Sequence, residues 1–238
     1  MSSGSDGGAS GERTSRLGVE EVGEVEEVGE VGEVSTASVR AVVAAARGIP
    51  NPLVLIDGPS GAGKSTLADA VRRAWPAPSP QLVRLDDVYP GWHGLERASR
   101  QLARSLVARL DRGSVGTWQR WDWRAGRPAA IENVRPGGSL IIEGCGAFAT
   151  RAPDRPAVRV WVGAADGVRR RRALDRDAGA FDSYWDVWER QWRRYVQRTD
   201  PARSADLVLL ATARGIEPGR VDRAAHVHGG TSGTNVDA

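Results

Sequence analysis

Between residues 35 and 213 the chain alternates between two apolar patterns. Short, nearly continuous apolar runs occur at 53–57, 81–86, 140–143, 158–162 and 207–210. They predict strands buried on both faces, because a strand with one wet face would alternate apolar and polar residues. Between these runs lie segments of helical period. In 95–111, Leu95, Ala98, Leu102, Leu106 and Leu110 recur every three or four residues. Residues 38–47, 64–75, 167–177 and 181–199 complete the helices, and Pro76 ends the second of these four. Five short strands separated by helices predict an α/β three-layer sandwich around a central parallel five-stranded sheet. On 181–199, Phe181, Trp185, Trp188, Trp192 and Tyr195 form an aromatic stripe. It predicts a face packed on the core, with a helix flanking a lid as the sharper alternative.

The two ends lack this order. Residues 19–34 read VEEVGEVEEVGEVGEV, a repeat interrupted by glycine and without an aromatic residue. Such a stretch buries too little apolar surface to offset its ordering entropy. Residues 1–34 are therefore expected to be a disordered acidic segment, 35–213 the folded domain, and 214–238 a disordered tail. His226 and His228 fall in that tail and read as bland.

Composition narrows the setting. One cysteine, Cys145, excludes an intrachain disulfide and a Cys-rich zinc site. The longest apolar runs, 42–46 and 53–56, are far shorter than the ~20 residues a membrane helix needs. No basic start followed by an apolar stretch marks a leader. The expectation is a soluble, cytoplasmic protein without a membrane partner. Residues 1–34 hold nine acidic and two basic side chains, a net of −7, and the remainder a net of +10. A basic body suits polyanionic ligands. Yet 32 of the 33 basic residues are arginine, which points to coding bias. No helix-turn-helix or base-stacking motif accompanies the charge, so nucleic acid is not the expected partner.

The single lysine stands inside a motif. Gly58, Pro59, Ser60, Gly61, Ala62, Gly63, Lys64 and Ser65 spell GPSGAGKS, followed by Thr66, and match G-x-x-x-x-G-K-[ST]. An apolar strand precedes the motif and a helix follows it, as the phosphate-binding P-loop requires. The glycines let backbone N–H groups approach phosphate oxygens, and the helix adds its positive end. Lys64 would reach the β- and γ-phosphates and Ser65 would ligate Mg²⁺. With no second lysine, the Asn-Lys-x-Asp loop that reads guanine is absent. The expected cofactors are ATP and Mg²⁺.

Carboxylates mark the same strand ends. Asp86 and Asp87 close the predicted second strand, and Glu143 closes 140–143. In an open parallel sheet these ends converge on the ligand crevice. One of the two aspartates could take a proton from an attacking hydroxyl. Glu143 stands where a P-loop protein holds a magnesium-bound water. On the helix at 167–177, Arg172 and Arg176 lie four apart on one face and could clamp phosphates during transfer.

Together, GPSGAGKST, the D-x-V-Y element of Asp86 to Tyr89, Trp121-Asp122-Trp123, the strand ending IIEG and the arginine helix ending Arg176-Asp177 resemble the uridine kinase family. Its relatives include phosphoribulokinase and pantothenate kinase. The resemblance spans roughly residues 52–210. It implies a kinase that moves the ATP γ-phosphate to a hydroxyl of a nucleoside-like small-molecule acceptor. It implies that Asp86, with Asp87 as rival, is the base. It also implies that Tyr89, Trp121, Asp122 and Arg127 line the acceptor pocket. Uridine kinases place Tyr-Asp-Phe where Trp121 to Trp123 stand, and a histidine where Gly126 stands, so the acceptor is left open. The alternatives are a P-loop ATPase or nucleotide-binding regulator without an acceptor, and a nucleic-acid-binding protein.

Overall fold

The computed structural model describes residues 33–150, 156–177 and 179–219. Helix α1 (Thr36–Ala46) begins at Ser35, whose side chain caps the Ser38 N–H. Strand β1 (Leu53–Asp57) has all five residues buried, and α2 (Lys64–Ala74) follows the P-loop. Strand β2 (Gln81–Arg84) stops short of the two aspartates, which lie in a 3₁₀ turn, Leu85–Asp87. Helix α3 (Leu95–Leu102) runs through a π-helical segment, Ala103–Val107, into α4 (Ala108–Asp111). At the π segment Ser105 Oγ sits 2.9 Å from the Gln101 carbonyl and 2.8 Å from that of Thr117, so the widened turn abuts the next strand.

Strands β3 (Gly116–Asp122) and β4 (Arg127–Val134) form an antiparallel hairpin. The sequence pattern did not predict it, because β4 is exposed along most of its length and buries only Val134. Then come β5 (Leu140–Glu143), β6 (Ala157–Ala164), α5 (Asp166–Arg176), α6 (Trp185–Thr199), β7 (Leu207–Thr212) and β8 (Gly215–Pro218).

The main sheet has the order β2-β5-β1-β6-β7-β8, six strands rather than the five expected. The first five run parallel and β8 is antiparallel to β7. Ordered structure thus continues past the boundary expected at 213. Four residues with Ile216 as their one large apolar side chain gave no strand signal. Tertiary contacts form it: the Ile216 carbonyl accepts from the Ser35 N–H at 3.1 Å and from Ser38 Oγ at 2.9 Å. Val34, assigned to the acidic end, bridges the same Ile216. Residues 1–32 and 220–238, with His226 and His228, lie outside the described residues.

Both faces of the sheet are covered, which explains the unbroken apolar strands. Val54 and Ile56 of β1 pack with Val42, Leu67 and Val71 beneath α1 and α2. Leu53 and Leu55 face the other way, toward Leu102, Leu106 and the aromatic stripe of α6. Burying each such side chain contributes about 2 kcal/mol. Among the described residues no helix is long and apolar enough to cross a membrane.

Candidate active site

The parallel strands β1, β2 and β5 end together, and their last residues build the site. After Asp57 the chain crosses from β1 to α2 through the P-loop. Two of its glycines are pressed against neighbouring backbone. Gly58 (φ 151°) and Gly61 (φ 79°) have left-handed backbones. A Cβ on Gly58 would collide with the carbonyl oxygen of Val162, and one on Gly61 with that of Arg169. The loop is therefore pressed between β6 and α5. Ala62 is buried in the core beneath α1 and α2, and Thr66 is exposed on α2.

Lys64 is 8% exposed, and its ammonium donates to the Pro59 carbonyl at 2.8 Å. Ser65 Oγ donates to Glu143 Oε1 at 2.9 Å. Burial, helped by the charge of Asp86, pushes the Glu143 carboxyl up to about 7, against the pull of Lys64, Ser65 and Arg84. Arg84 Nε lies 3.5 Å from Glu143, and Arg84 Nη2 reaches both carboxylate oxygens of Asp69.

Beneath the loop, Asp57 is fully buried. It accepts from the N–H groups of Gly58 (2.7 Å), Gly146 (2.9 Å) and Phe148 (2.9 Å), and from the Tyr195 hydroxyl (2.7 Å). Burial raises its pKa although all four donors pull it down. Helix α6 touches the loop again where Trp188 Nε1 donates to Ser60 Oγ at 2.9 Å. The aromatic stripe is thus core by its rings, as the pattern predicted, and part of the site by its polar tips.

Beside the loop opens a cavity of about 500 Å³ that includes Ser60 and Ser65. Five rings line it: Tyr89, Trp92, Trp123, Phe181 and Trp188. Trp92 stacks against Phe181 with centroids 4.8 Å apart. The charged lining consists of Asp86, Asp87, Asp177 and Arg176. The Tyr89 hydroxyl is spent on the Cys145 carbonyl at 2.8 Å, so Tyr89 offers the cavity a ring and no free donor.

The two aspartates share a 3₁₀ turn, so the alternation of a strand does not distinguish them; their partners do. Asp87 lies 3.2 Å from Arg120 of β3. Asp86 lies 3.8 Å from Arg176, whose Nε and Nη2 bind Asp177 at 2.9 and 3.0 Å. The run of arginines on α5 also divides. Arg169 is buried and held by Asp166 and Glu189, which fixes α5 to α6. Arg172 has Nε and Nη1 buried without a hydrogen-bond partner among the described residues.

Three residues expected in the acceptor pocket do not line this cavity. Trp121 and Asp122 pair with Pro128 and Arg127 across the hairpin. Asp122 caps the hairpin turn by accepting from the Ala125 N–H at 2.9 Å. The hairpin instead sends Trp123, whose Nε1 donates to the Asp86 carbonyl at 2.7 Å. Sequence reasoning also missed Asp57, Trp92 and Asp177. A carboxylate closing an otherwise apolar strand was the one available signal for Asp57.

The residues present fit a nucleoside triphosphate with Mg²⁺. The loop N–H groups open the N-terminus of α2, Lys64 is preset beside them, and Ser65 with Glu143 offers hard oxygen ligands. Arg172, expected to clamp phosphates, does not line the aromatic cavity; its Nε and Nη1 are buried without a hydrogen-bond partner among the described residues.

No protein-family model matches the chain, and no curated protein matches its sequence. Solved structures do. A protein described as a "possible uridine kinase" from Bacillus stearothermophilus superposes with a TM-score of 0.51 at 18% identity, over 72% of this chain and 96% of that one. The YGR205w protein gives 0.47 at 13% identity, over 76% and 97%. A proposed fructose transport system kinase from Silicibacter sp. TM1040 gives 0.46 at 18%, over 74% and 98%. The first of these likenesses shows the fold alone, an α/β sandwich around a central, mostly parallel sheet.

Proposed function

We propose that the chain is an ATP- and Mg²⁺-dependent phosphotransferase acting on a hydroxyl of a small, nucleoside-like acceptor. The observation that carries this reading is the opening of Asp86 and of P-loop residues Ser60 and Ser65 onto one cavity. A base for the acceptor and the anchor for the donor then face the same space. ATP supplies the phosphoryl group, and Mg²⁺ neutralises its oxygens.

Each side chain has a part in this reading. The Pro59 carbonyl holds the Lys64 ammonium beside the loop, which lowers the cost of ordering it on binding. Ser65 and Glu143 would hold the ion. Arg172, whose Nε and Nη1 have no hydrogen-bond partner among the described residues, would offer them to phosphate oxygens, while Arg176 is occupied by Asp177. Asp86 takes the proton of the acceptor hydroxyl on its carboxylate. The aromatic walls exclude water and accommodate a planar ring. Three carboxylates against one guanidinium in the lining repel an acceptor that already carries phosphate. A cytoplasmic setting belongs to this reading and is supported by the one cysteine, Cys145, free and buried.

The test is a transfer screen with MgATP against nucleosides, sugars and vitamins, each beside its monophosphate, run in parallel with Lys64→Ala. The reading expects transfer to an unphosphorylated member and loss of it in Lys64→Ala. ATP hydrolysis with no transfer to any member would favour an ATPase instead.

A further inference from the structure

A second cavity, about 350 Å³, lies between α3 and α6, outside the one described above. We propose that it is a binding site for a small phosphate-bearing ligand, separate from the P-loop.

Three guanidiniums converge on it, Arg100 from α3 and Arg194 and Arg198 from α6, against one carboxylate, Glu96. Glu96 Oε1 lies 2.6 Å from Arg100 and 3.1 Å from Arg198, so one acid holds two cations toward each other across the helices. The lining keeps a net charge of +2. Arg194 has no hydrogen bond or ion pair among the described residues. Arginines arriving from two helices, with Arg194 carrying no internal partner among the described residues, suit a phosphate, whose several oxygens can accept from more than one guanidinium. A basic trough containing Arg97 and Arg104 adjoins the cavity and shares Glu96 and Arg100 with it, adding to the positive potential.

The floor is built rather than incidental. Ser99 and Tyr195 line the cavity while their hydroxyls hold the Gly146 carbonyl and Asp57. A ligand here rests on the side chains that fix the strand ends beneath the P-loop.

The experiment is calorimetric titration of inorganic pyrophosphate, without magnesium and at about 0.15 M salt, into the full chain carrying Lys64→Ala. That substitution disables the P-loop as a competing site. The expected result is one bound pyrophosphate per chain. Adding Arg194→Ala and Arg198→Ala, both exposed, should weaken it roughly tenfold or more. Adding Arg72→Ala and Arg73→Ala on α2 instead removes the same charge elsewhere and should leave the affinity within about twofold. Three results overturn the site: no binding to Lys64→Ala, binding indifferent to Arg194 and Arg198, or an equal loss from the α2 control.

Discussion

The hydroxyl of Tyr195 donates to the carboxylate of Asp57 at 2.7 Å, which ties the middle of α6 to the last residue of β1. The same carboxylate collects N–H groups from the start of the P-loop and from the segment after β5. Three stretches of chain therefore meet on one buried acid directly under the phosphate-binding loop.

Removing that acid should cost far more than removing its partner. Asp57→Ala strands several buried donors, each worth about 1–3 kcal/mol, so a loss of about 3–5 kcal/mol is expected. Tyr195→Phe leaves the three backbone donors satisfied and should cost about 1 kcal/mol. Urea unfolding of both variants measures this. Equal costs would mean that the acid is not the hub of the arrangement.

Arg172 and Arg176 should separate activity from stability. Arg172 Nε and Nη1 have no hydrogen-bond partner among the described residues, so Arg172→Ala should leave the melting temperature nearly unchanged while lowering kcat/KM for MgATP roughly 10²-fold. Arg176→Ala frees Asp177 and Asp86 and should affect turnover less. Steady-state kinetics beside thermal melts test the pair. A large melting shift for Arg172→Ala with normal turnover would make that arginine structural.

Glu143 should impose a pH dependence on the ligand-free protein. Its folded pKa of about 7 lies above the ordinary 4.5, so the fold favours the protonated acid. That contribution is fully present below pH 4.5 and is lost as pH rises through 7. The loss amounts to about 3 kcal/mol. Glu143→Gln stays neutral and should lose correspondingly less between pH 5 and pH 8. Chemical denaturation at both values checks it, and an identical decline in both proteins would place the titration elsewhere.

What the sequence revealed and what it hid follow from distance along the chain. The P-loop was legible because its chemistry occupies consecutive residues. Glu143 was legible because a buried strand announces where it ends. Asp57 and Tyr195 are 138 residues apart, and no local pattern joins them. Strand β8 owes its existence to pairing with β7 and to the contacts of Ser35 and Ser38, not to its own four residues. The hairpin carried no strand signal, so the WDW segment was read by analogy alone. The structure brings Trp123 to the cavity and leaves Trp121 and Asp122 on the hairpin.

The central claim is that Asp86 deprotonates an acceptor beside the P-loop, and single-turnover phosphate transfer from MgATP tests it most directly. Asp86→Asn should still bind ATP, because no P-loop contact is touched, while transfer falls roughly 10²- to 10⁴-fold. Asp87→Asn should fall less, since Asp87 is engaged by Arg120 at 3.2 Å. Parental transfer rates in both variants would contradict the account and leave the chain a nucleotide-binding protein without this base.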